Sequence, residues 1–275
     1  DVQIERGLRF TPVPEGSRRV KVTVGGLTGG HSGIDIHRPR ANAIKLLARL
    51  LDVLLQDDAV RLMAVAGGTR RNAIPRDAWG QVACPAERAP ALHRHVAEWD
   101  APFRAEFPCE TALRLSIEDA PAPSSGPAAM SREGGLAVVH LLLALPHGVA
   151  QMDPAFGDLV LTSSNLAITE TTGAAQKIVT SQRSLSRFGL DAMSGQVRAA
   201  AALAGGRAYT ESEYPPWTPN PGSPLLARCR DIYRRLYGKE PEVRGIHAGL
   251  ECALIGDIYP GMDMISLGPT TQNAH

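Results

Sequence analysis

The side chains best suited to chemistry stand in short, glycine-bracketed runs. His31 lies in Gly29-Gly30-His31-Ser32-Gly33, followed by Ile34-Asp35-Ile36-His37-Arg38-Pro39. Glycines permit positive φ and let another molecule approach the backbone closely. A histidine held on such a turn can donate a hydrogen bond to a substrate oxyanion or carboxylate. The run is not a phosphate loop, because no lysine follows at the spacing of that motif. It is not a nucleophile elbow either, since Ile34 rather than a glycine stands two residues after Ser32. The plain alternative is a structural loop histidine, and His37 reads as a capping or surface residue.

Three further positions bear on ligand binding. Asn72, in Gly67-Gly68-Thr69-Arg70-Arg71-Asn72-Ala73-Ile74-Pro75, serves either turn chemistry or an amide that donates to a substrate carbonyl or carboxylate. Arg183 ends a strand in Thr180-Ser181-Gln182-Arg183-Ser184 and is either solvated or a bidentate grip on a peptide's terminal carboxylate. In His247-Ala248-Gly249-Leu250-Glu251-Cys252 the small Ala248 and Gly249 would let a substrate lie along the backbone. His247 and Glu251 are not in an H-E-x-x-H arrangement. Asp263 sits in an apolar run, where a carboxylate needs partners. His275, the last residue, says nothing by itself.

These residues need a scaffold, and hydrophobic periodicity supplies one. Arg19–Val24 alternates as a strand; Ile44, Leu47, Leu51 and Leu54 put a helix over Arg40–Gln56, with Pro39 at its start. Strands follow over Val60–Val65 and Asp77–Ala83, then helix over Glu87–Phe107 with a break near Pro102, then a strand over Thr111–Glu118. That order, βαββαβ, is the pattern of a ferredoxin-like antiparallel sheet with helices on one face. Ala120–Pro127 reads as a loop. A helix over Arg132–Ala144, a hairpin of Leu159–Glu170 and Lys177–Leu185 around Thr172-Gly173, and a helix over Leu190–Leu203 extend the sheet. Four prolines in Tyr214–Pro221 suit a stiff connection. Beyond it, a helix (Ser223–Tyr237), a strand (Glu242–Ile246), a short helix (Leu250–Ile255) and a strand (Met262–Leu267) imply a fragment of a parallel α/β sheet.

Composition narrows the class. With 29 basic and 28 acidic residues and 5% aromatics, neither nucleic acid nor an anionic membrane is expected as a partner. Four cysteines without C-x-x-C spacing indicate neither a zinc ribbon nor a redox motif, and suit a reducing cytoplasm. No apolar run approaches the ~20 residues that span a bilayer. Asp1-Val2-Gln3-Ile4-Glu5-Arg6 carries neither an initiator Met nor an apolar signal segment, so upstream sequence is expected.

Taken together, Gly29–His37, Arg71–Pro75, His247–Cys252, Tyr259–Met264 and the terminal Gly268-Pro269-Thr270 leading to His275 resemble the M20 metallopeptidases, specifically the aminoacyl-histidine (Xaa-His) dipeptidase group. The resemblance implies an enzyme with a zinc-bearing α/β catalytic domain and an inserted lid that also dimerises. Residues 1–17 would be the end of the catalytic domain and a hinge, 18–212 the lid, and 213–275 the C-terminal part of the catalytic domain. It implies His31 as the lid histidine that stabilises the tetrahedral intermediate, and Asn72, Arg183 and Gly249 as substrate-binding residues. It also implies His275 as a ligand to one of two Zn2+ ions, with Co2+ or Mn2+ as substitutes. The expected substrate is an Xaa-His, carnosine-like dipeptide, and the expected assembly a cytoplasmic homodimer through the lid. The remaining metal ligands and the catalytic glutamate of the family have no counterpart motif here, so this chain by itself is expected to be inactive. Two other readings stand beside this one: a non-catalytic dimerisation or lid module, and an N-acyl amino acid deacylase.

Overall fold

The structure, a computed structural model, describes residues 1–120, 128–154, 158–211, 213–217, 220–247 and 249–268. The elements in chain order are β1 (Val2–Gly7), β2 (Phe10–Pro12), β3 (Arg18–Gly25), β4 (Gly30–His31), α1 (Ala43–Leu54), β5 (Arg61–Gly67), β6 (Ala73–Ile74), β7 (Ala78–Cys84), α2 (Ala89–Glu98), α3 (Asp100–Glu106) and β8 (Arg114–Asp119). They continue with β9 (Ala128–Met130), α4 (Arg132–Ala144), β10 (Gly148–Met152), β11 (Val160–Thr172), β12 (Ala175–Ser184), α5 (Arg187–Leu203), β13 (Arg207–Thr210), α6 (Pro224–Tyr237) and α7 (Glu251–Ile258).

One antiparallel sheet runs in the order β13-β1-β12-β11-β5-β7-β3-β8, with β10 also on β11. It consists of two units of the same topology. In the first, β3-α1-β5-β7-α2-β8 places its strands β5-β7-β3-β8 across the sheet; in the second, β1-α4-β11-β12-α5-β13 places them β11-β12-β1-β13. Each is a βαββαβ unit, and they meet edge to edge where Thr169 and Glu170 pair with Gly67 and Ala66. The second unit takes its first strand from the N-terminus and carries the whole first unit as an insertion. Residues 2–7, expected to close another domain, are thus an inner strand between β12 and β13.

The helices share one hydrophobic core with the sheet. Ile44, Leu47, Leu50 and Leu51 of α1, Val96 of α2, Val138 and Leu142 of α4 and Val197 of α5 join Val20, Val22, Leu62, Val82, Leu166 and Ile178 of the strands in a single cluster. Helix α1 begins three residues after the expected start region because Asn42 caps it, its Oδ1 accepting from Ile44 and Lys45 N–H. Lys45 closes the far end of α4: its ammonium donates to the carbonyls of Leu142, Leu143 and Leu145. Burial lowers that ammonium to about 8, still above neutrality, so it stays charged. The helical break falls at Trp99 rather than Pro102, since Pro102 fits the first turn of α3, where no intrahelical N–H is needed.

The C-terminal part departs furthest from expectation. Residues 242–246 and 262–267 pair with no strand, and among the described residues this part contributes only α6 and α7. Of Ala120–Pro127, expected as a loop, residues 121–127 lie outside the described residues, as does His275.

Candidate substrate-binding site

The candidate residues gather on one face of the second unit. Strands alternate their side chains between faces. Thr162 and Ser184 face α5: their hydroxyls lie 2.9 Å apart, and a Cβ on Gly189 would meet both. Ser163, Asn165 and Arg183 therefore face the other way, with Ser163 and Arg183 directly opposite each other across β11 and β12. Each of these holds, or lies beside, a segment that carries another candidate residue.

Asn165 reaches the first unit. Its Nδ2 donates to Ala73 O at 2.8 Å and fixes the turn that carries Asn72. Asn72 O accepts from Ser32 N–H at 2.9 Å, and β4 pairs with β6 through His31 and Ala73, so the turns bearing His31 and Asn72 move as one. The imidazole of His31 is turned back on its own loop: Nδ1 accepts from Gly33 N–H (3.2 Å) and Ile34 N–H (3.1 Å). A nitrogen that accepts from two amides carries no proton, so the hydrogen-bond network assigns the ring proton to Nε2. His31 is thereby held as a donor.

Glu110 secures both ends of this loop. Buried at 2% exposure, its carboxylate accepts from Thr28 N–H, Thr28 Oγ–H and Ala41 N–H at 2.7–3.0 Å. No sequence signal marked it, since a lone glutamate after Cys109 has the appearance of a surface residue.

Ser163 holds the C-terminal segment. Its hydroxyl lies 2.8 Å from Nε2 of His247, which is 6% exposed. Burial, and then the neighbouring Arg183 charge, lower the imidazole to about 4, against a raising hydrogen bond to the backbone of Val160. His247 is thus neutral, and its Nε2 shares a hydrogen bond with the Ser163 hydroxyl. The backbone of His247 also rests on the His31 loop: a Cβ on Gly33 would lie 2.3 Å from His247 O and 3.2 Å from His31 Cε1. Sequence reading placed His247 after a strand; its actual support is β11 of the preceding unit.

Arg183 is the charge of this face. Its guanidinium is largely buried, burial lowers its pKa, and among the described residues Nε has no hydrogen-bond partner. The imidazole of His247 senses its charge. A buried guanidinium with an unsatisfied donor is costly unless a ligand completes it. Gly249 is exposed and packs against Tyr214, where a Cβ would sit 3.0 Å from the ring. Asp263 finds its partners at the start of α6, accepting from Ser223 Oγ–H (2.9 Å) and Leu225 N–H (3.0 Å), which lower its pKa. His37 is exposed.

Among the described residues, no group of three or more His, Cys, Asp or Glu side chains is placed to hold a metal ion. The donor set present does not fit a zinc centre, which needs three or four protein ligands. His275, the one expected ligand, lies outside the described residues. No described helix is long and apolar enough to cross a membrane.

Residues 22–109 match the M20 peptidase dimerisation domain. Over 264 residues the chain is 36% identical to the cytosol non-specific dipeptidase of Escherichia coli (strain K12), covering 96% of this chain and 54% of that protein. Its fold matches the crystal structure of aminoacylhistidine dipeptidase from Vibrio alginolyticus with a TM-score of 0.91 and 34% identity, over 98% of this chain and 55% of that one. The chain spans about half the length of the curated relative it matches. The dimerisation-domain match, the 36% identity over 96% of this chain and the shared fold agree, and all point to the M20 peptidase family.

Proposed function

We propose that this chain is the substrate-clamping part of an M20 dipeptidase that acts on Xaa-His dipeptides in the cytoplasm. The observation that carries the reading is Arg183: a largely buried guanidinium with an unsatisfied Nε, beside a neutral His247 and on the face where the His31 and Asn72 turns are anchored. A peptide's terminal carboxylate matches that donor in charge and geometry. Both relatives are named as dipeptidases, one of them for aminoacyl-histidine substrates.

In this reading Arg183 binds the dipeptide's carboxylate, and the Asn72 amide and the exposed backbone at Gly249 hold its main chain. His31 donates from Nε2 to the carbonyl oxygen that becomes the oxyanion, a role a neutral Nε2–H tautomer fills without proton transfer. Residues 213–268 connect this clamp to the catalytic domain, and domain closure brings substrate to it. The family resemblance and the relatives' names support a dependence on Zn2+, with Co2+ or Mn2+ as substitutes. The described residues do not supply such a site, so hydrolysis needs ligands beyond them. The dimerisation-domain match supports a homodimer.

The test is steady-state hydrolysis of β-alanyl-histidine and of N-acetyl amino acids by the protein carrying its full metal-ligand set. Arg183→Lys should raise KM for the dipeptide on the order of 10-fold or more through loss of the bidentate grip. Faster turnover of N-acetyl amino acids would favour a deacylase. An unchanged KM in Arg183→Lys would remove Arg183 from the site.

A further inference from the structure

We propose that Asp35 is a positioning residue for His31, fixing the imidazole as an Nε2 donor through the turn the two residues share; the proposal rests on the role given to His31 above. Asp35 brackets the His31 peptide from both sides. Its Oδ2 accepts from His31 N–H at 2.9 Å, and its own N–H donates to His31 O at 2.9 Å. These two bonds close a single turn over residues 31–35. The N–H groups inside that turn, Gly33 and Ile34, are the ones that His31 Nδ1 accepts from. The tautomer of the ring therefore depends on the closure of the turn.

Arg40 holds the carboxylate in place. Its Nη1 lies 3.2 Å from Asp35 Oδ2 and donates to Gly29 O at 2.5 Å, while Arg38 Nε lies 3.3 Å from Asp35 Oδ1. Asp35 and Arg40 are only 18% and 17% exposed, so solvent screens this pair less than a surface pair. Gly30, at φ +139°, leaves the room: a Cβ there would sit 1.9 Å from Arg40 Nη1 and 2.8 Å from Asp35 Oδ2. The spacing Gly30-His31 and Asp35 is thus one device, in which a glycine admits a guanidinium, the guanidinium fixes a carboxylate, and the carboxylate closes the turn that orients the histidine.

The test has two arms. In the 275-residue chain, side-chain 15N NMR of His31 reads the tautomer without any need for activity. The parent should show Nε2 protonated, Asp35→Ala should show mixed tautomers, and Asp35→Asn, which keeps one acceptor oxygen, should fall between. In the active protein, Asp35→Ala should lower kcat on the order of 100-fold with KM nearly unchanged, as expected when a donor is misplaced by an ångström; Asp35→Asn should recover part of it. Thermal melting and the far-ultraviolet circular dichroism of both variants establish that they are folded. A parent-like His31 tautomer in folded Asp35→Ala, or parent-like kcat in that variant while His31→Ala is impaired, would overturn the proposal. Full activity in His31→Ala would instead refute the role given to His31, and the proposal's catalytic part with it.

Discussion

The hydroxyl of Ser163 and Nε2 of His247 meet at 2.8 Å, and this contact fastens the C-terminal segment to the far unit of the sheet. His247 is buried, so the contact is of the kind whose loss strands a buried polar atom. Ser163→Ala should destabilise the protein by about 1–3 kcal/mol. Hydrogen exchange should accelerate at 245–247 and leave β11 protected. Exchange rates matching the parent at 245–247 would show that the segment is held by other contacts.

His247 also makes stability depend on pH. Its folded value of about 4 lies below the ordinary 6.5, as does that of His147, lowered to about 4 by burial and then by the Lys45 charge. Between those values the unfolded chain binds a proton that the folded chain refuses, so stability falls as pH falls from about 6.5 to 4. Each imidazole contributes on the order of 3 kcal/mol across that window. Urea unfolding midpoints should decline from pH 7 to pH 4, with a shallower slope in His247→Gln.

Glu110 ties Thr28 to Ala41 and so fixes the loop that carries His31. Glu110→Ala removes one carboxylate from three donors, two of them backbone amides. The expected cost is about 2–3 kcal/mol in denaturant unfolding. Glu110→Gln, which keeps an acceptor oxygen, should cost less.

Gly33 marks the closest approach of the His31 loop to the C-terminal segment. Its φ is not in the left-handed region, so the objection to a side chain is purely steric: a Cβ would lie 2.3 Å from His247 O. Gly33→Ala should therefore keep the fold of the sheet and displace residues 245–247. Trypsin cleavage after the exposed Arg244 is the measurement, and it should be faster in the variant.

Elements that answer to local periodicity were legible in the sequence. Helix α4 spans the residues its pattern marks, and α1, β3, β5, β7 and the β11–β12 hairpin fall within a few residues of theirs. Each has an amphipathic stripe or alternation that short-range burial enforces. The second βαββαβ unit was not legible as a unit, because its first strand is separated from the rest by the entire first unit. Pairing of β1 with β12 and β13 is a property of the sheet, not of Val2–Gly7. The converse failure lies at 242–246 and 262–267, where strand-like runs pair with no strand and remain irregular.

The same division holds for the candidate site. The residue types and their order along the chain, and with them the family resemblance, were set by the sequence alone: His31 between glycines, Asn72 in its turn, Arg183 at a strand end. Which of them stand together was decided only by the tertiary structure. Ser163, Asn165 and Glu110 carry no motif that distinguishes them from ordinary polar residues. They acquire their roles because folding buries them, and a buried polar atom must find a partner from whatever distant segment the sheet brings beside it.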